Sequence, residues 1–143
     1  MRRTAAVVGG GAFAALLALG VAALRRSVRR VEVVGSSMVP TLLPADRLIV
    51  VRRPPIRSYW PQPGQIVALS DPRQPGRTLV KRVTTTDRAQ GTVAVEGDAG
   101  GASTDSRTFG PVPVGSVIGP AVYRYAPPHR RGRLPRPGEY HRA

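Results

Sequence analysis

Glycine and proline interrupt the chain so often downstream of residue 30 that a long helix is not expected there. The sequence contains 16 Gly and 15 Pro, and the short runs between them are rich in Val, Ile and Thr, which favour strands. No apolar pattern with the helical period extends over a useful length in this part. We therefore expect a mainly β fold, in which a small, coiled, antiparallel and barrel-like sheet forms from residue 31 to about residue 125. The predicted strands are Val31–Val34, Arg47–Val51, Gln65–Leu69, Thr78–Thr84, Thr92–Glu96 and Ser116–Tyr125.

An uncharged apolar run precedes this domain. It extends from Thr4 to Leu24, between the short basic head 1–3 and the arginine-rich flank 25–30. Because about 20 apolar residues suffice to cross a bilayer core of about 30 Å, the run predicts one transmembrane helix. A cleaved signal peptide has a shorter apolar core, and a buried core helix would need apolar partners on all sides.

The residues after the domain, 126–143, are rich in Pro and Arg and predict a disordered tail. The chain thus divides into a head, anchor and flank (1–30), one folded domain (31–125) and the tail. The formal net charge of +14 favours contact with anionic membrane lipids. It does not indicate a specific nucleic-acid partner, because no recognition helix or stacking-aromatic motif accompanies the arginines.

A serine at a turn is the first candidate for chemistry. Residues 35–42 read G-S-S-M-V-P-T-L and lie between two predicted strands, so that Gly35 opens a bend carrying two serines. A serine nucleophile needs a base within hydrogen-bond reach. The chain has no cysteine, and its two histidines, His129 and His141, lie in the tail. A Ser-His-Asp triad is therefore disfavoured, and we expect no metal ion and no cofactor.

Lys81 is the one lysine among the 22 Lys and Arg residues. Lysine can act as a base when its pKa is lowered, whereas arginine keeps its proton in proteins. In a strand, Lys81 shares a face with Leu79 and Val83, and burial there lowers the lysine pKa. A shift from about 10.4 to about 7 costs about 4.6 kcal/mol. The alternative is a solvated lysine on an edge strand.

Three segments resemble the conserved boxes of type I signal peptidases, the membrane-bound Ser/Lys proteases. Residues 35–42 resemble the S-M-x-P-T-L box, and residues 79–83, L-V-K-R-V, resemble the catalytic-lysine strand. Residues 97–113 resemble the third box, which usually reads G-D-N and continues with S-x-D-S-R and G-x-V-P; here Ala99 stands in place of the asparagine. The boxes follow in family order and extend roughly from residue 31 to residue 125.

The resemblance implies a role for each matching residue. Ser37 corresponds to the nucleophile, Lys81 to the general base and Ser103 to the serine that orients the lysine amine. The Ser37 backbone N–H is expected to stabilise the oxyanion, since Gly35 stands where some members carry a serine for that purpose. Structural support of the active-site strands is expected from Arg82, Asp105 and Arg107, although the last two also fit an ordinary ion pair.

The function implied is that of a membrane-anchored serine endopeptidase. It would cleave signal peptides from exported precursors through an acyl-enzyme, after small side chains, with its catalytic domain on the extracytoplasmic side of the plasma membrane. One alternative is a maturation protease dedicated to a single partner, such as the leader of nickel-containing superoxide dismutase. Another is a non-catalytic, membrane-tethered β-domain that binds peptides or lipid.

Overall fold

The computed structural model of the protein describes residues 8–52 and 59–135. A helix, α1, occupies Val8–Ser27, and a second, short helix, α2, occupies Ser106–Phe109. Single 3-10 turns lie at Gly100–Ala102, Val114–Ser116 and Pro128–Arg130. The strands are β1 (Val28–Glu32), β2 (Arg47–Val51), β3 (Ile66–Ser70), β4 (Thr78–Asp87), β5 (Thr92–Glu96), β6 (Val112–Pro113), β7 (Val117–Ala126) and β8 (Gly132–Arg133).

The described strands form one antiparallel sheet, which confirms a mainly β fold. Its order is β1-β2-β7-β3-β4-β5-β6, and β8 pairs with β7. Strand β7 joins two parts of the sheet, because its first half pairs with β3 and its second half pairs with β2. Register shifts interrupt both pairings, and such irregularities increase the local twist and bend the strand. The sheet is therefore curled.

Both sides of β3 are buried, and they contribute to two apolar clusters. Ile66 and Ala68 belong to the first cluster, whereas Val67 and Leu69 belong to the second. This division follows from the alternation of side chains along a strand. The second cluster lies around β4, β5 and β6, and the first includes residues from β1, β2 and the loop between them.

Strands β2 and β5 have the predicted bounds, but β1 begins earlier than predicted. It starts at Val28, directly after α1, and includes part of the arginine-rich flank. Arg29 donates a hydrogen bond of 3.3 Å to Thr78 Oγ1, and the Arg30 guanidinium lies 5.8 Å from the ring centroid of Tyr125. These contacts hold the flank within the sheet. The first strand of the sheet thus begins three residues before the predicted domain boundary at residue 31.

Helix α1 covers most of the run predicted to cross a membrane and continues three residues beyond its end at Leu24. Its last turn contains Arg25 and Arg26, and residues 4–7 of the predicted run lie outside the described residues. Over residues 8–52 and 59–135, no helix combines the length and the apolar character needed to cross a membrane. The predicted transmembrane helix is therefore not confirmed.

The predicted disordered tail begins too early. Strand β7 extends to Ala126 and β8 pairs with it, so that Tyr123 lies opposite Arg133. Leu134 is buried in the first apolar cluster, and Arg130 forms an ion pair with Asp46. The high content of Pro and Arg predicted disorder. Residues in this segment are nevertheless held by contacts with distant parts of the chain, which composition does not reveal. Residues 136–143, including His141, lie outside the described residues.

Candidate active site

The loop between β1 and β2 presents Ser37 from a tight turn. The Val39 N–H donates to Ser36 O at 3.0 Å, and the Leu42 N–H donates to Met38 O at 2.8 Å. Met38 and Leu42 are fully buried, whereas Ser37 is only half-buried. The apolar anchors on its C-terminal side therefore fix the position of the turn and leave the serine accessible.

The third sequence box packs directly against this turn. The Ala99 N–H donates to the Ser37 carbonyl oxygen at 3.0 Å. A Cβ added to the neighbouring Gly97 would overlap both that carbonyl oxygen and Ser103 Oγ, and would lie 2.7 Å from Ser103 Cβ. Only glycine therefore lets these two segments approach as closely as they do.

Lys81 is buried in β4, opposite Val67 of β3 and one residue before the pairing of β4 with β5 begins. Its exposed fraction is 3%, and the predicted neighbours on its face, Leu79 and Val83, belong to the second apolar cluster. Lys81 Nζ donates a hydrogen bond of 2.9 Å to Ser103 Oγ. The alternative of a solvated lysine is therefore wrong.

The surroundings of Lys81 lower its pKa. Burial is the main cause, because it disfavours the charged ammonium form. The Asp105 carboxylate acts in the opposite direction, and the positive charges of Arg107, Arg73 and Arg77 again lower the lysine pKa. An amine in this setting loses its proton more readily than a free lysine does.

Asp105 supports the residues behind the lysine. Its side chain is fully buried and accepts hydrogen bonds from the Gly97 N–H at 2.9 Å and from Arg107 Nη2 at 2.7 Å. The pKa of Asp105 lies well below its usual range, chiefly because of the Arg107 hydrogen bond, and burial opposes this shift. Further hydrogen bonds from the Ser103 hydroxyl and from backbone N–H groups also lower it. Asp105 is therefore a carboxylate at neutral pH.

Arg82 projects from the opposite face of β4 and joins three segments. It forms a bidentate ion pair with Asp98, in which Nε donates to Oδ1 at 2.8 Å and Nη2 donates to Oδ2 at 2.7 Å. It also donates to Gly64 O at 2.8 Å and to Thr41 Oγ1 at 3.4 Å. Through these bonds β4 is connected to the serine loop and to the third box, which fits the supporting role predicted for Arg82.

Ser37 and Lys81 line the same groove, whose volume is about 760 Å³. The edge of β4 at Thr78–Lys81 faces this groove, because β4 pairs with β5 only from Arg82 onward. Among the described residues, no protein acceptor binds the Ser37 N–H. The other lining residues are Glu32, Val33, Val34, Gly35, Ser36, Met38, Arg73, Gln74, Arg77, Thr78, Leu79, Val80 and Thr104.

Gly35 is exposed, and the turn does not require glycine there. A Cβ at this position would meet no atom within 4 Å, and the backbone is not in the left-handed region. Within residues 8–52 and 59–135, no three His, Asp or Glu side chains lie close enough together to hold a metal ion.

The structure brings the predicted site residues Ser37, Lys81 and Ser103 into one region, with Asp105 and Arg107 behind them. Sequence reasoning missed the close contact of Gly97 and the two arginines of the β3–β4 turn. The glycine opens the third box in the sequence, but its packing partner on the serine loop is 60 positions away and only the fold reveals it.

More than half of the chain matches the model of a known protein family. The model of the family described as "Signal peptidase, peptidase S26" matches residues 6–88. The chain is also 34% identical, over 113 residues, to mitochondrial ATP-independent inner membrane protease subunit 1b of Arabidopsis thaliana, covering 65% of this chain and 67% of the relative. It is 33% identical, over 126 residues, to mitochondrial inner membrane protease subunit 2 of Danio rerio, covering 75% and 68%.

The chain belongs to the signal peptidase family. This confirms the family indicated by the three sequence boxes. The protein is thus a serine-type peptidase, a hydrolase, of a family that acts on precursor proteins.

Proposed function

We propose that this peptidase cleaves leader peptides from exported precursor proteins, with Ser37 as nucleophile and Lys81 as general base. The observation that carries the proposal is the buried Lys81 amine, held at 2.9 Å by Ser103 Oγ beside the groove that Ser37 also lines. A serine and a base whose pKa is lowered by burial form the minimal pair for covalent catalysis of this kind.

In the proposed reaction, Ser37 Oγ attacks the scissile carbonyl while neutral Lys81 takes the hydroxyl proton. The negative charge that develops on the carbonyl oxygen is stabilised by the Ser37 N–H, which has no protein acceptor in the described part of the chain. Lys81 then returns the proton to the leaving amine, and the acyl-enzyme remains. A water molecule, activated by the same amine, releases the second product.

We infer that the substrate binds as an extended strand. The edge of β4 at Thr78–Lys81 faces the groove, and an exposed strand edge can pair with a peptide backbone. A peptide there would lie between β4 and the chain segment at Val33 and Val34. A preference for small side chains before the cut stays a prediction from the family resemblance.

The enzyme is proposed to act at a membrane. The relatives cited above are named as inner membrane proteases, and α1 exposes large apolar side chains that lipid would cover. Phe13, Leu16, Leu19 and Leu24 are each about two-thirds exposed. Location on the extracytoplasmic side of the plasma membrane stays a prediction from the family resemblance.

The proposal is tested by cleavage of a secretory precursor with the full chain in detergent. Ser37→Ala and Lys81→Arg are expected to reduce cleavage to background, since one lacks the nucleophile and the other lacks a group that can lose its proton. Ser36→Ala is the matched control, because Ser36 is the adjacent, exposed serine in the same groove. It should cleave within about twofold of the wild type, as surface substitutions do.

Loss of activity in Ser36→Ala but not in Ser37→Ala would overturn the assignment of the nucleophile. A folded wild-type protein that leaves generic precursors intact but cleaves one particular leader would instead favour a dedicated maturation protease. Complete inactivity towards all precursors and leaders, with peptide binding retained, would favour the non-catalytic peptide-binding domain.

A further inference from the structure

The turn between β3 and β4 places two arginines on the wall of the groove that contains Ser37 and Lys81. Backbone hydrogen bonds within the turn hold its conformation. The Asp71 N–H donates to Arg77 O at 2.9 Å, and the Arg77 N–H donates to Gln74 O at 3.2 Å. Arg73 and Arg77 are both exposed.

The two arginines share one carboxylate. Arg73 donates to both oxygens of the buried Asp71, at 3.2 and 3.1 Å, and its guanidinium lies 5.7 Å from the ring centroid of Phe109. Arg77 makes longer contacts, 3.9 Å to Asp71 Oδ2 and 3.5 Å to Gln74 Oε1. Two positive charges and one negative charge leave this wall with a surplus of one positive charge, and Arg77 is the more available of the two arginines.

Other charges at the groove do not cancel this surplus. Glu32, which also lines the groove, pairs with Arg47 at 3.2 Å. Lys81 must be neutral to act as a base, so it does not compete for a substrate anion. Arg77 thus presents the charge that a carboxylate in the groove would meet.

The distance along β4 defines where that carboxylate would be. Arg77 directly precedes β4, four positions before Lys81. At about 3.3 Å per residue the two positions are about 13 Å apart. An extended peptide has the same rise, so its residue about four positions from the scissile bond would lie beside Arg77.

We propose that Arg77 is a specificity-determining residue that favours precursor peptides with an Asp or Glu side chain about four residues from the scissile bond. This inference rests on the proposed function, because it takes the cut to occur beside Ser37 and Lys81. Both charges are accessible to water, so the effect is a preference and not an absolute requirement.

The test uses a series of fluorogenic peptides that differ only in the position of one Glu, moved through six residues on each side of the cut, with Gln at the same place as reference. Wild-type protein in detergent is expected to cleave the best Glu peptide with a kcat/KM about threefold higher than that of its Gln counterpart. The preference should peak three to five residues from the cut and decrease at high salt.

Arg77→Gln should remove the preference, measured as the ratio of kcat/KM on the Glu peptide to kcat/KM on the Gln peptide. This ratio cancels any change in the Lys81 pKa, which the charge of Arg77 lowers. Arg77→Glu should reverse the preference and favour Lys at that position. The matched control is Arg88→Gln, which removes an exposed arginine from the other end of β4, outside the groove, and should leave the preference unchanged.

A scan without a peak, or a Glu preference that persists in Arg77→Gln, would overturn this assignment. Ser37-dependent cleavage of the Gln peptide would in both cases leave the proposed function intact. Absence of Ser37-dependent cleavage of every peptide would overturn the proposed function itself, and the role of Arg77 with it.

Discussion

A buried aspartate lies behind each member of the candidate dyad, and the two are held in different ways. Asp105 lies behind Lys81 and pairs with Arg107, only two residues away along the chain. Asp46, which is 1% exposed, lies behind the serine loop. It accepts hydrogen bonds at 3.1 Å from each of two arginines, Arg124 and Arg130, which are 78 and 84 residues away.

The two carboxylates also act on different groups: one on the lysine amine and the other on the backbone of the serine loop. Asp105 influences the lysine amine, through its charge and through Ser103. Asp46 instead holds backbone, since it accepts the Leu43 N–H at 2.9 Å and Arg124 also donates to Thr41 O at 3.2 Å. Asp46 therefore holds the loop that carries the serine, whereas Asp105 affects the pH at which the lysine is neutral.

The largest effect is expected from Asp46→Asn. The substitution leaves Arg124 and Arg130 without their negative partner in a buried site, which should reduce the free energy of unfolding by roughly 3–5 kcal/mol. Chemical denaturation in detergent measures this loss. The pH midpoint of kcat/KM should not move, because Asp46 does not contact the lysine.

Asp87→Asn is the matched control for that loss, because Asp87 is exposed at the end of β4, where its side chain accepts a hydrogen bond from the Gln90 N–H. It should change the free energy of unfolding by about 1 kcal/mol at most, the usual cost of a lost turn or cap hydrogen bond. Separate control of position and protonation would be contradicted if Asp46→Asn left stability unchanged and shifted the pH profile.

Gly97→Ala should have the next largest effect, and on activity more than on stability. The added methyl group would push apart the Ser37 carbonyl and the Ser103 hydroxyl, which belong to the two halves of the site. Since misplacement by about 1 Å can cost roughly 100-fold in rate, we expect a decrease of that order in kcat/KM.

Gly115→Ala is the control for this change, because a Cβ at Gly115 meets no atom within 4 Å. It should cleave at a rate within about twofold of the wild type. A wild-type kcat/KM in Gly97→Ala would contradict this expectation. It would show that the serine loop and the third box can move apart without loss of activity.

A smaller and more selective effect is expected from Asp105→Asn. The Asp105 carboxylate raises the pKa of Lys81, so its removal should lower that pKa further and shift the rising limb of the pH–activity profile to lower pH. Stability should decrease by about 1–3 kcal/mol at neutral pH, the cost of weakening buried charge-assisted hydrogen bonds.

The pH dependence of that stability loss has a definite sign. The pKa of Asp105 is lower in the folded protein than in the unfolded chain, where it is about 3.9. Its contribution is therefore complete above about pH 3.9 and is lost as the pH falls through the folded-state pKa. Wild type and Asp105→Asn should accordingly become more alike in acid. An upward shift of the activity profile would contradict this role.

The features around Lys81 and Asp105 could be predicted from the sequence, because they depend on residues close together in the chain. Period-two alternation placed Lys81 on an apolar face with Leu79 and Val83, and the S-x-D-S-R motif placed Asp105 beside Arg107, because both are local patterns. Strands β2 and β5 were predicted with the observed bounds for the same reason.

Long-range contacts could not be predicted in this way. The Asp46 network joins residues 78 and 84 positions apart, and composition predicted disorder where Arg130 and Leu134 pack. The close approach of Gly97 to the Ser37 carbonyl likewise depends on how two distant loops meet. Such features depend on the closure of the sheet, for which a single sequence carries no local signal.

The measurement that tests the central claim most directly is an NMR titration of the Lys81 side chain. Lys81 is the one lysine in the chain, so protein labelled with ¹³C-lysine gives a single Cε signal without assignment. We predict a midpoint below the usual value of about 10.4, coincident with the midpoint of the pH dependence of kcat/KM. A midpoint at or above 10.4, or an activity profile that does not follow the titration, would contradict the assignment of Lys81 as the general base.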